Sequence, residues 1–179
     1  MKTIIGIDPG LKGGIAILRE SKQPQIEPIP LTDNKKEIDI FYLASILEST
    51  DAFRDTTEIY LEDVHAIFGA SAKSTFNFGY VCGQINTVCC QFASTILVQP
   101  KVWQKAVWIN KDIVTNPTGR FYKKSKLPIT KIDTKKTSYN AVKRIFPNVV
   151  IPITPRSKVP HDGVIDSLLI AEFGRRQNK

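Results

Sequence analysis

The sequence predicts an α/β fold, in which short β-branched strands alternate with longer helical stretches. Three observations carry that expectation. Thr3–Ile7 and Ile15–Leu18 are brief Ile-rich runs on either side of a turn marked by Pro9, Gly10, Gly13 and Gly14, the pattern of a hairpin. Glu58–Glu62 and Thr95–Val98 repeat the short apolar run, each with a helical pattern after it. The chain then closes on Asp162–Arg175, where Val164, Ile165, Leu168, Leu169 and Ala171 supply apolar helix sides.

Taken in order, the first strand ends on a carboxylate, Asp8, and the loop after it carries almost no large side chains. Such a loop lets backbone approach a phosphate or a metal; equally, an Asp often simply opens a turn. Gln25–Ile29 is a third strand, and Pro24, Pro28 and Pro30 confine it to an edge or an irregular one. Lys35–Ser49 reads as an amphipathic helix with Ile38, Phe41, Leu43, Ile46 and Leu47 on one side. Glu58–Glu62 ends, like the first strand, on an acid. Side chains alternate along a strand, so Glu62 and Asp63 point to opposite faces. Only one is expected to join Asp8, and Glu62 closes the apolar run; a solvated strand end is the alternative.

His65–Lys73 is a loop carrying Phe68, followed by a long helix over Ser74–Ser94. Gly79 and Gly83, four apart, share a face of it, open to packing on the sheet or to a two-fold contact between subunits. Pro100–Trp108 is a short helix with Pro100 suited to its first turn. Asn110–Asp133 lacks periodicity, and a connection that long is usually functional or disordered. It is basic and carries Phe121 and Tyr122, a mixture of charge and stacking surface that suits nucleic acid or, for any one residue, a solvated loop. Arg120, Lys123, Lys124, Lys126 and Lys131 are its candidate DNA contacts, together with Lys73 and Phe68 ahead of it. Thr134–Phe146 is a helix capped by Asp133 or Thr134. Lys135 and Lys136 sit in its first turn, where the helix dipole disfavours cations, which hints at a phosphate nearby. Val149–Ile153 is a possible short strand.

The net charge of +8 favours a polyanionic partner, nucleic acid before membrane. No apolar run approaches the length of a membrane span and no signal peptide is evident, so a single cytoplasmic domain over residues 1–179 is expected. Cys82, Cys89 and Cys90 fall in a helical pattern as small buried side chains in a reducing compartment. They are not zinc ligands, because His65 and His161 lie far away in sequence.

Asp162 and Asp166 are four apart and share a helix face. Asp162 can serve as an N-cap, the commonest use of an Asp before a helix; Asp166 has no such excuse. Three segments thus deliver Asp8, Glu62, Asp162 and Asp166. Converging carboxylates would raise one another's pKa values, and a hard divalent cation removes that penalty. Oxygen ligands select Mg²⁺ or Mn²⁺, and several carboxylates can hold two such ions about 4 Å apart for in-line phosphodiester displacement.

Gly6-Ile7-Asp8-Pro9-Gly10, Leu61-Glu62-Asp63-Val64-His65-Ala66 and His161 to Ala171 together resemble RuvC-like Holliday junction resolvases, in particular the phage-type branch. The likeness extends to Ser74–Gly83, Gln99–Trp103 and Lys135–Pro147, and fades in Arg19–Asp55 and in the basic insert. It implies a ribonuclease H-like fold, a five-stranded mixed sheet with helices on both faces. It also implies a homodimer that cuts two strands of a four-way junction symmetrically with Mg²⁺, or Mn²⁺ as substitute. Carried over by position, the metal-binding and catalytic acids are Asp8, Glu62, Asp162 and Asp166, and Lys135 or Lys136 lies near the scissile phosphate. Cellular members space the last acids three apart; Asp162-Gly163-Val164-Ile165-Asp166 follows the phage-type spacing, with His161 a further candidate beside Asp162. Phe68 is the candidate wedge. The resemblance implies an endonuclease acting on Holliday junctions or other branched DNA; a catalytically inactive branched-DNA-binding protein of the same fold is the alternative. An actin-like phosphotransferase, whose first hairpin is similar, needs a duplicated domain that 179 residues cannot hold.

Overall fold

The computed structural model describes residues 2–50, 56–64, 69–121, 127–155 and 157–178. Its strands are β1 (Thr3–Asp8), β2 (Gly14–Leu18), β3 (Gln25–Pro28), β4 (Thr57–Glu62), β5 (Ser94–Val98), β6 (Thr115–Phe121) and β7 (Pro128–Ile132). The helices are α1 (Ile40–Glu48), α2 (Ala72–Phe92), α3 (Pro100–Val107), α4 (Thr134–Ile145) and α5 (Asp162–Gln177). Five strands form one mixed sheet in the order β3-β2-β1-β4-β5. β1 is antiparallel to β2 and parallel to β4, and β5 runs parallel to β4. The proline-bounded β3 takes an edge, where missing N–H groups cost no ladder bonds.

Period-two alternation splits the apolar residues between two cores. Ile5, Ile7, Ile15, Ile17, Ile59 and Leu61 face α1 and α2, against Leu43, Leu47 and Ile85. Ile4, Ala16, Leu18, Tyr60 and Val98 face the other way, against Trp103, Ala141, Leu168 and Leu169 of α3, α4 and α5. The sheet therefore has helices on both faces.

The second face is held by bare backbone. A Cβ on Gly6 would lie 2.2 Å from the Ser167 carbonyl oxygen, and one on Gly14 would lie 2.5 Å from that of Gly163. A Cβ on Gly163 would in turn meet the Lys12 carbonyl oxygen at 2.2 Å. Only glycine lets α5 lie this close across β1 and β2, which sets the first turns of α5 beside the end of β1.

Several elements differ from expectation. The helix expected over Lys35–Ser49 begins only at Ile40, because Asp39 caps it by accepting from the Tyr42 N–H at 2.9 Å. Ahead of it the chain turns, with Leu31 bridging Ile38 and Lys35 at φ 57°; Phe41 is 82% exposed rather than packed. The unpatterned insert contains a second sheet, the antiparallel pair β6–β7. Val149–Ile153 forms no strand; Ile153 makes one isolated bridge to Pro160, since prolines at 152 and 160 leave little to extend a ladder. Among the cysteines Cys89 is buried as expected, Cys82 is half-buried and Cys90 is exposed.

Candidate active site

Strand parity selects the first two acids. Asp8 shares its face of β1 with Ile4 and Gly6, and Glu62 shares its face of β4 with Tyr60, so both project toward α5. The parallel register Ile7↔Leu61 brings the two strand ends side by side. Asp8 and Glu62 hydrogen-bond through their side chains. Asp63, of opposite parity, donates its backbone N–H to Val98 at 2.8 Å.

α5 supplies the other two. His161, not Asp162, is the N-cap: its Nδ1 accepts from the Val164 N–H at 3.3 Å. That spends Nδ1 on the helix and leaves the Asp162 carboxylate available. Asp162 instead accepts from Lys135 Nζ at 2.5 Å, with the lysine 73% exposed. Asp166 lies one turn on. It is half-buried as a residue, but its Oδ1 has no exposed surface and no hydrogen-bond partner. Its carboxylate also interacts with the Ser138 hydroxyl of α4.

The electrostatics follow from that crowding. Burial, then Glu62, then Asp166 push the Asp8 carboxyl well above the usual carboxylate range. Burial raises Glu62 as well, opposed by a hydrogen bond from Trp103. Asp166 is pushed up to about 7, first by burial and then, against the Ser138 bond, by Glu62 and Asp162. Lys135 is raised by Asp162, and burial lowers His161. Asp8, Glu62 and Asp166 are thus shifted by burial, with their neighbouring acids raising Asp8 and Asp166 further, while among the described residues no three His, Cys, Asp or Glu side chains stand close enough together to hold a metal ion. The donor set is all oxygen, the orphaned Asp166 Oδ1 needs a partner, and the acids need positive charge. A hard divalent cation fits all three.

A cleft of about 890 Å³ opens beside the acids; Asp8, Asp162, Lys135, Phe78, Gln84 and Lys36 are among its walls. Lys136 turns away, 68% exposed and 3.8 Å from its own N-cap Asp133. Lys73 is exposed on the first turn of α2, and Arg120 and Lys131 are exposed on β6 and β7. Phe68, Lys123, Lys124 and Lys126 lie outside the described residues.

Two residues of the site escaped the sequence reading. Trp103 donates its indole Nε1–H to Glu62 Oε1 at 2.8 Å, and Ser138 holds Asp166. A Trp on a short amphipathic helix gives no sign of which way its N–H points. The pair Thr137 and Ser138 did leave a signal: two hydroxyls on the buried face of α4 need polar partners.

No family model and no curated protein sequence matches the chain. Solved structures do. Thermus thermophilus RuvC in complex with a Holliday junction substrate is similar with a TM-score of 0.57 at 13% identity, over 98% of this chain and 96% of that one. A second Thermus thermophilus RuvC structure gives 0.53 at 11% identity over the same shares. The fold of this chain is therefore RuvC-like, a mixed five-stranded sheet of the ribonuclease H-like kind.

Proposed function

We propose that this protein is a metal-dependent, structure-specific endonuclease that resolves Holliday junctions or other branched DNA by paired phosphodiester hydrolysis. The observation that carries the proposal is the gathering of Asp8, Glu62, Asp162 and Asp166 at one end of a RuvC-like sheet, with one buried Asp166 oxygen left without a partner. The Asp-Gly-x-x-Asp spacing at 162–166 supports the phage-type arrangement.

Asp8, Glu62, Asp162 and Asp166 are the residues that would hold Mg²⁺, or Mn²⁺ in its place. When bound, one or two such ions supply a Lewis acid and an activated water for in-line attack on a phosphodiester. The chain's own contribution is placement. Strand ends and a glycine-seated helix fix the carboxylates, and the cleft admits a phosphate next to them. Lys135, exposed and beside Asp162, offers a cation to a non-bridging phosphate oxygen. No nucleophilic side chain is required. Lys73, Arg120 and Lys131 present charge to the DNA backbone, joined by Lys123, Lys124 and Lys126 of the same basic stretch and by Phe68 as the wedge.

Paired cutting calls for two copies. Phe76 and Tyr80 are 74% and 61% exposed on α2, and nothing lies within 4 Å of a Cβ built on Gly79 or Gly83. This open face suits a second copy of the helix, giving a homodimer with two sites.

The test is a panel of synthetic four-way junctions, forks, flaps and linear duplexes, with and without Mg²⁺. Symmetric junction cleavage that requires Mg²⁺ is expected, and Asp8→Asn should abolish it while junction binding persists. Binding without cleavage by the unaltered protein would favour an inactive branched-DNA-binding protein. Cleavage undiminished in Asp8→Asn would remove Asp8 from the centre.

A further inference from the structure

Glu62 is gripped from outside the acid cluster. Its Oε1 accepts from Trp103 Nε1 at 2.8 Å, a contact between β4 and α3 across 41 residues of sequence. Trp103 has no exposed surface. Its ring packs edge-on against Trp108, with centroids 6.0 Å apart and planes at 82°, within the core formed by α3, α4 and α5. A ring locked in this way has one direction in which to aim its N–H. An indole can donate and cannot accept, so its counterpart must be an acceptor oxygen.

Trp108 provides a contrast within the same pair. Its Nε1 is also buried, yet it meets no hydrogen-bond partner. Two neighbouring indoles share one apolar environment, and only one of them is committed to an acid.

We infer that Trp103 is the positioning residue of the centre: its indole N–H fixes one oxygen of Glu62, so that the carboxylate is presented toward Asp8 and the cation that both would hold. This rests on the metal-centre reading above. Partners that orient a ligating carboxylate typically matter for metal affinity nearly as much as the ligands themselves. Trp103 touches neither substrate nor cation in this scheme. It acts by removing the rotational freedom of Glu62, which would otherwise have to be lost on binding.

The experiment measures Mn²⁺ binding calorimetrically in the full chain for Trp103→Phe, Trp108→Phe and Glu62→Gln, with circular dichroism as the check on folding. Trp103→Phe is expected to weaken Mn²⁺ binding by about ten- to a hundredfold, and Trp108→Phe to leave it within about twofold of the unaltered protein. In junction cleavage the Mn²⁺ needed for half-maximal rate should rise in Trp103→Phe, and saturating Mn²⁺ should restore most of kcat. A purely packing role would not give that split. If Trp103→Phe fails to fold, replacing Trp103 with 3-benzothienylalanine keeps the ring shape and removes only the N–H, and the same loss is expected. Undiminished Mn²⁺ affinity in the Trp103 variant, with binding lost in Glu62→Gln, would overturn the inference and leave the metal centre standing. Undiminished affinity in Glu62→Gln would overturn the metal centre itself, and the role of Trp103 with it.

Discussion

Asp166 holds a negative charge in a place that opposes it. Its carboxyl, ordinarily near 3.8, is pushed up to about 7 by burial and by the neighbouring acids. Between those two pH values the native state binds more protons than the unfolded chain, so the free energy of unfolding falls as pH rises. Below 3.8 the group is protonated in both states and contributes no slope; the loss is complete above about 7. Asp8 and Glu62, also raised, act in the same direction. In chelator-treated protein the melting temperature is therefore expected to decline from pH 4.5 to pH 8, and less steeply in Asp166→Asn. Mg²⁺ at pH 8 should raise it by binding the folded state, again by less in Asp166→Asn. Parallel pH curves and equal Mg²⁺ shifts in the two proteins would contradict this. Residues such as Asp166 were legible in the sequence because two acids one helical turn apart make no sense for stability alone. Trp103 and Ser138 were not, because a donor's direction is a tertiary property.

At the scale of the element, α5 and the β1–β2 hairpin determine whether the site exists. Gly6 is the point of closest approach, where an added Cβ would lie 2.2 Å from the Ser167 carbonyl oxygen and 2.3 Å from the Ala171 nitrogen. Neither atom can yield, since both belong to the helix backbone. Gly6→Ala should destabilise the fold by about 3 kcal/mol, the upper end of the usual range for overpacking. In thermal melts that corresponds to roughly 6–12 °C; a change under about 1 °C would show that α5 is free to shift. Strands β1 and β4 could be read from sequence because burial on one or both faces imprints an apolar pattern. The β6–β7 pair could not. Every residue of β6 is exposed, so no buried face imposes alternation, and Pro117 and Gly119 look like loop residues. The start of α1 was misjudged for a related reason: Ile38 extends the apolar period, but it is buried as part of the turn before the helix, and Asp39 ends that turn by capping α1.

For the whole molecule, the sheet divides its labour between faces. One face carries α3, α4 and α5 and the other α1 and α2; α2 also walls the cleft beside the acids through Phe78, Tyr80 and Gln84, while Phe76, Gly79 and Gly83 on it stay open to solvent. The protein is expected to sediment at twice the 20.1 kDa chain mass. Gly83→Arg should shift it to a monomer that nicks one strand rather than cutting two; a variant that stays dimeric would place the contact elsewhere. Among the described residues no helix is long and apolar enough to cross a membrane. The α/β class was readable from short strands alternating with helical stretches and the mixed sheet only from the family resemblance, whereas the meeting of Asp8, Glu62 and Asp166 depends on how α5 crosses the sheet, which spacing alone cannot specify. That meeting is also what the proposed chemistry requires most. Crystals grown with Mn²⁺ test it directly through anomalous scattering: the peak should lie about 2 Å from carboxylate oxygens of Asp8, Glu62 and Asp166 together. A Mn²⁺ peak that touches at most one of the three, in crystals saturated with the ion, would contradict the account.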